Sequence, residues 1–497
     1  MSIWKKKSIP QLLAEASESE KGLKRTLTAW SLIALGIGAI IGAGLFVRTA
    51  MAASQNAGPS VTIAFVLAAI GCALAGLCYA ELSSSIPVSG SAYTYTYATM
   101  GELLAWIIGW DLILEYAVGA STVGIAWSEY LNNLLINVLH VSPIPYSLSH
   151  SPFQKMTDPV TQEVTHGMIN LPALFIVGII SLLLIKGIQE SAFVNGIIVV
   201  VKVAIVILII IIGWNFINPT NHTPYIPPSS IFTDEHGVGH SFGGFWGIVG
   251  AAGTVFFAFI GFDAVSTAAQ ETKNPKRNMP IGILGSLAVC TVLYILFAHV
   301  LTGVATVEDF RTGGKEASVA FAINKYMIGY AWLGQLVTVA ILAGFSSVIL
   351  VMLLGQSRVF YAMGKDGLLP SFFSDLHSKF QTPYKANLVI LVIVGAFAAF
   401  IPGDIVGDMT SIGTLFAFVL VCISVIILRK TNPDMPREFK TPWVPLVPIL
   451  GVAACLLMMV GLGWTNWLRL FAWMVIGIVI YFAYSKKNSR LNNPDKK

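Results

Sequence analysis

The stretch Leu35-Gly36-Ile37-Gly38-Ala39-Ile40-Ile41-Gly42-Ala43-Gly44-Leu45-Phe46 decides how the rest of the chain is read. It sits in an apolar run, 29–54, of the length a bilayer-crossing helix needs, about 20 residues or more. Yet it carries four glycines in nine residues, each costing a helix about 1 kcal/mol against alanine. Local unwinding at membrane depth is the expectation. A second run, Phe256-Phe257-Ala258-Phe259-Ile260-Gly261-Phe262-Asp263-Ala264-Val265-Ser266, has one glycine hemmed by aromatics. Asp263 follows it and is placed to cap a new half-helix. Close helix packing explains a lone small-xxx-small pattern, but two interrupted runs together point to a binding site. Unwinding frees N–H groups that suit a carboxylate and C=O groups that suit an ammonium. A zwitterion of α-amino-acid shape meets both.

Outward from these two runs, apolar segments recur at 29–54, 60–84, 101–126, 170–186, 192–214, 244–268, 279–304, 331–356, 387–402, 408–428, 445–463 and 467–485. Backbone polar groups in hydrocarbon must be satisfied within each segment, which makes them helices. A barrel would show alternating strands of about ten residues. The composition agrees: 497 residues, 55% hydrophobic, 11% charged, mean hydropathy +0.75. Soluble domains carry about 25% charged residues, so a string of water-facing domains, a disordered chain and a nucleic-acid binder are all excluded. The class is an all-α polytopic membrane protein of about twelve spans. Spans one and six lie five apart, as two inverted repeats require, and interruptions in matching places mark a midplane site in secondary transporters. The expected organisation is a tail (1–28), a ten-helix core (29–428, repeats 29–214 and 244–428), two further helices (445–485) and a second tail (486–497).

Orientation follows from basic residues. With both termini cytoplasmic, 23 of the 30 lysines and arginines fall on the inner side. Arg48, Lys155, Arg311, Lys315, Lys325 and Arg469 fall outside, and Lys202 lies within a span. No removable signal peptide is visible. Cys72, Cys78, Cys290, Cys422 and Cys455 all sit in apolar stretches and read as small buried hydrophobes. His222, His236 and His240 read as residues of a solvated outer loop rather than a metal site.

The motifs GIGAIIGAGLF in span one, SGSAYTYTYATMGE before span three and FFAFIGFDAVSTAAQETKNPKRNMPIGI across spans six and seven resemble those of the amino acid–polyamine–organocation transporters. Within them the chain resembles the cationic amino acid transporter branch over about 25–485. The resemblance implies a LeuT-type fold of five-plus-five inverted repeats with two added helices. It implies a substrate carboxylate held at Gly42, Ala43 and Gly44, and an amino group held by carbonyls near Ile40, Phe257 and Ile260. Many relatives have a hydroxyl residue where this chain has Ala43, so one side-chain hydrogen bond is missing.

Lys202 is apolar on both sides for more than two turns, so its charge is costly there. It reads either as a fixed counter-ion or as a group that trades a proton. In proton-coupled relatives a lysine at this place resembles a replacement for a sodium site, and Lys202 is assigned the coupling role. Asp111 and Glu115 lie one turn apart on one helix face. Trp106 and Trp110 place Asp111 near the wet interface and Glu115 deeper, lining the cavity or sharing a proton with Lys202. Asp263 reads as cap and gate, Phe257 as a lid over the substrate, and His299 as a packing residue.

The expected function is import of amino acids across the cytoplasmic membrane by alternating access, with protons as coupling ion and no cofactor. Exchange without net proton coupling is one rival; an amino acid-sensing receptor is another, disfavoured by short tails. No nucleophile–base set at membrane depth points to an enzyme. Cationic and small neutral substrates stay equally open, and an accessory subunit is not readable.

Overall fold

The computed structural model describes residues 3–19, 26–88, 90–157, 163–187, 192–234, 237, 239–314, 318–380 and 382–493. Apolar helices dominate them. We number these α1 (Ala29–Ile40, resuming over 44–57), α2 (Val61–Ser85), α3 (Glu102–Asn137), α4 (Leu171–Ile185), α5 (Ala192–Gly213), α6 (Gly244–Phe256, resuming at Ala264–Thr267), α7 (Pro275–Val304), α8 (Ala331–Lys365), α9 (Tyr384–Phe400), α10 (Gly403–Thr431), α11 (Leu446–Gly461) and α12 (Trp464–Ile480). Eight helical stretches are long and apolar enough to cross a membrane, and α4, α9, α11 and the first half of α1 are shorter apolar helices. The protein is an all-α polytopic membrane protein. Strand structure among the described residues is confined to two antiparallel hairpins, Lys155–Thr157 with Val164–His166 and Ser230–Thr233 with Gly239–Phe242.

The 42-residue run Gly44–Ser85 is two helices. Gly58 turns the chain at φ +56, open to glycine and strained for other residues, and Pro59 follows. Several helices outrun their apolar cores: α3 continues to Asn137 and α8 to Lys365, because turns beyond the hydrocarbon still pack on neighbours.

Helix α7 packs on α2 and on the first half of α1, α3 on α8, and α4 on α9, while the two interrupted helices touch each other. Each of the first four helices therefore has a partner five positions on. Helix α5 packs on α1, α7 and α8, and α10 packs on α2, α3 and α11.

Both tails dock instead of hanging free, which the polar composition of 1–28 did not reveal. Residues 3–7 run beneath α3: Glu102 N–H donates to Lys5 C=O at 3.1 Å and Leu103 N–H to Ile3 C=O at 3.0 Å. A helix, Ile9–Ser19, follows. The chain beyond α12 returns to the same corner. There Ser485 Oγ donates to Leu368 C=O at 2.7 Å, Arg490 N–H to Asp366 C=O at 3.0 Å and Asn492 Nδ2 to the Glu102 carboxylate at 3.1 Å.

Candidate substrate site

Helix α1 stops after Ile40. The N–H of Ile41 still reaches Ile37 C=O at 2.9 Å, and the next to find a carbonyl is Leu45, on Gly42 at 3.1 Å. Among the described residues the N–H groups of Gly42, Ala43 and Gly44 make no backbone hydrogen bond. Helix α6 loosens into a 3-10 turn at Phe257–Phe259, runs extended at Ile260 (φ −59, ψ 137) and swings through Gly261 at φ +112.

The two breaks meet. A Cβ on Gly261 would lie 3.0 Å from Ala39 Cβ, and one on Gly44 would collide with the Ala258 backbone. Glycine is needed at both because two main chains approach where a side chain would stand. Gly36 does what the packing explanation asked of small residues: a Cβ there would collide with Ser286 of α7. Packing and site therefore share one glycine run.

The freed carbonyls are partly occupied. Lys202 Nζ donates to Gly38 C=O at 2.8 Å and Ile41 C=O at 3.1 Å, and the residue is 3% exposed. Its stem lies over Gly344 of α8, where a Cβ would come within 2.8 Å of Lys202 Cε. The Tyr294 hydroxyl lies 2.9 Å from Ile40 C=O and 3.0 Å from Ala258 C=O. One phenolic hydrogen serves one of them at a time, so acceptor capacity remains between the breaks. Tyr294 was not anticipated, since a buried aromatic in α7 looks like core; its hydroxyl at membrane depth was the one signal.

Glu115 lies in a wide turn, Ile113–Val118, that loosens α3, a distortion common at functional sites. Its carboxyl group is fully buried, and neither oxygen has a hydrogen-bond partner among the described residues. Tyr116 Oη donates to Asp263 Oδ2, and Ser91 Oγ lies 3.4 Å from it. Asp263 makes no side-chain cap hydrogen bond to the resumed helix, a correction to its reading as a cap; its carboxylate accepts from Tyr116 instead. Asp111 is 1% exposed with both oxygens lacking a hydrogen-bond partner, against its expected wetness. Its Oδ1 lies against Gly413 of α10, where a Cβ would come within 3.0 Å of it, while α12 covers the neighbouring tryptophans: Trp106 donates to Gly477 C=O at 2.8 Å and Trp110 stacks on Trp473 at 4.8 Å. Gln356 of α8 is likewise buried with its amide unpartnered.

On the other side of the breaks, Arg48 pairs with Asp408 of α10. Its guanidinium carbon lies 5.8 Å over the Phe257 ring, and Asn466 Nδ2 holds Asp408 at 3.2 Å. Phe257, 3% exposed, is thus roofed by buried Arg48 and its partly exposed partner Asp408. This pair was missed because Arg48 was counted as a loop charge. The readable signal was an arginine four residues past the glycine run, still inside an apolar segment.

The structure gathers Ile40, Gly42, Ala43, Gly44, Phe257 and Ile260 in one buried place, with Lys202 behind α1 and Glu115 and Asp263 on the side opposite Arg48. His299 stacks on Trp214 and on His222, with ring centroids 5.5 and 4.5 Å apart. His240 pairs with Asp234 at 2.8 Å, and His236 lies outside the described residues.

Fold and site together define a multi-pass membrane protein with buried polar groups gathered around two interrupted helices. Comparison with known proteins narrows this. The amino acid permease family model matches residues 27–481, and the chain belongs to that family. It is similar to the branched-chain amino acid permease of Bacillus subtilis, 44% identical with 99% of each chain covered. It is also similar to the methylthioribose transporter of the same organism, 40% identical with 99% of each covered. Cationic amino acid transporter 2, vacuolar, of Arabidopsis thaliana is 37% identical over 83% of this chain and 61% of its own. These relatives are permeases and transporters, and the chain is not an enzyme.

Proposed function

We propose that the protein is a secondary active transporter importing amino acids across the cytoplasmic membrane by alternating access, coupled to protons through Lys202. In this reading all twelve apolar helices span the membrane, both termini are cytoplasmic, and the first ten form LeuT-type inverted repeats. The pairing of each of the first four helices with the one five positions on supports the repeat.

The observation that carries the function is the break in α1, where three bare N–H groups stand beside carbonyls held by a buried ammonium. The substrate carboxylate takes the N–H groups of Gly42, Ala43 and Gly44. Its ammonium takes carbonyl capacity near Ile40, Phe257 and Ile260. Charged Lys202 satisfies Gly38 and Ile41 at once. A neutral amine holds them less firmly, because hydrogen bonds from ionised donors are roughly twice as strong. Protonation therefore biases α1 between its two positions by differential stability. No cofactor enters; the proton gradient supplies the work.

For the substrate side chain we favour aliphatic groups. Val348 stands 3.2 Å from where a Gly42 Cβ would be, and Met352 borders Gly119. Glu115, the one counter-charge offered to a cationic side chain, is fully buried, and Asp263 accepts from Tyr116. The name of the Bacillus branched-chain relative agrees with this.

Uptake of labelled leucine into vesicles holding the purified protein tests the reading. Uptake should rise with an inward proton gradient and be inhibited by isoleucine and valine more than by arginine. Indifference to the gradient together with normal uptake by Lys202→Ala overturns the coupling, and stronger inhibition by arginine overturns the substrate class.

A further inference from the structure

A groove of about 580 Å³ opens beside the first turns of α7, away from the substrate site. Its floor is Pro280, Ile281, Leu284 and Gly285, with Phe439 along one side. Arg277, Ile281, Leu284 and Gly285 follow i, i+4, i+7, i+8 spacing and share one helix face. Leu284 stands about 10 Å deeper along α7 than Arg277 at 1.5 Å per residue. The face is turned outward, with Ile281 41% exposed. Gly285 leaves the floor without a side chain, and Ile33 of α1 closes it from beneath.

Lys276, Arg277 and Glu438 stand at the mouth. Lys276 and Glu438 pair loosely at 3.9 Å, both more than half exposed. Among the described residues the Arg277 guanidinium has no ion pair or side-chain hydrogen bond. One positive charge is left over at the end of a membrane helix, just above an apolar trough. That sequence of charge and then apolar depth matches a phosphodiester on an acyl chain.

We propose that this groove holds one net-anionic phospholipid of the adjoining leaflet. Its phosphodiester sits on Arg277 and Lys276, and one acyl chain lies along Ile281, Leu284 and Gly285. A net-anionic lipid leaves the mouth neutral, whereas a zwitterionic one leaves the surplus charge unmatched. The same stretch of α7 packs on the first half of α1, Gly282 against Leu32 and Gly285 against Ile33, so the lipid would buttress that contact.

The test is intact-complex mass measurement on the full chain in detergent, titrated with phosphatidylglycerol, phosphatidylcholine or phosphatidylethanolamine. One phosphatidylglycerol should be retained in preference to either zwitterionic lipid. Lys276→Ala with Arg277→Ala should lower its affinity about 30-fold, from roughly fivefold per basic residue at a membrane surface. Leu284→Trp, which keeps both charges and fills the trough, should also lower it. Equal retention of a zwitterionic lipid, undiminished binding by the double variant, or undiminished binding by Leu284→Trp would each overturn the proposal. The last outcome reduces the site to diffuse surface attraction.

Discussion

Toward Arg48 the site is covered by one ion pair over one aromatic ring; toward Arg358 it is covered in tiers. Below the breaks come Glu115, Asp263 and Tyr116. Next, Arg358 at the far end of α8 pairs with Glu271 at 2.6 Å and reaches Thr267 Oγ1 at 3.2 Å. Then Lys7 and Tyr93 both hold Asp366 at 2.6 Å, and Tyr97 and Tyr481 hold Glu102 at 3.0 Å. On the alternating-access reading proposed above, the Arg48 side opens by loosening the Arg48–Asp408 pair over Phe257. On the same reading the other side must loosen several contacts in concert, which makes its opening the better guarded step.

The contrast can be broken at its pivot first. Gly44→Val should abolish leucine uptake while leaving membrane insertion intact, because overpacking costs about 1–3 kcal/mol and here falls where both breaks touch. Near-normal uptake would mean that the two main chains need not approach. Asp408→Ala comes next, since it strands the buried Arg48 charge at a cost of about 3–5 kcal/mol. In a background where Ala50→Cys reports opening on that side, thiol labelling should accelerate at least tenfold; an unchanged rate would dissolve the single-contact lid. Arg358→Gln should do far less to labelling from the opposite side. The pair is partly exposed, such contacts are worth about 0–1 kcal/mol, and the remaining tiers persist. A tenfold rise would make the two sides equivalent.

The smallest effect lies beyond the membrane-spanning helices, on the Arg48 side alone. Burial by itself would raise the Asp309 carboxyl pKa, but hydrogen bonds from Lys325, Tyr326 and Thr306 outweigh it and hold the group well below the usual carboxylate range. A depressed carboxylate contributes stability that is full above its unfolded value of about 3.9 and lost as pH falls toward its folded one. Asp309→Asn should therefore lower the melting temperature by a few degrees at pH 7, with the gap to the native chain narrowing below about pH 4. A gap that widens on acidification would remove the ion pair from the account.

Much of this was legible in the sequence because four glycines in nine residues are costly to a helix and charge is rare at membrane depth. Gly36–Gly44 announced its break by cost alone, and Lys202 by the expense of its charge. The break in α6 was harder, since one glycine among phenylalanines also fits an unbroken packed helix; only Gly261 at φ +112 reveals the turn. Asp111, Trp106 and Trp110 were misplaced for a different reason. Tryptophan marks both lipid interfaces and helix contacts, and α12 lies more than 350 residues away in sequence. Arg48 with Asp408 and Tyr294 with two carbonyls are likewise products of distant packing, which periodicity does not encode.

The docking of both ends on Glu102 and Asp366 bears on how the molecule is made. Residues 3–7 are made before the twelve apolar helices, whereas their neighbours at 485–493 are made after them. That corner therefore stays incomplete until residues 485–493 arrive. A bulky fusion joined directly behind Asn493 would crowd the same corner, and a flexible spacer there should restore it.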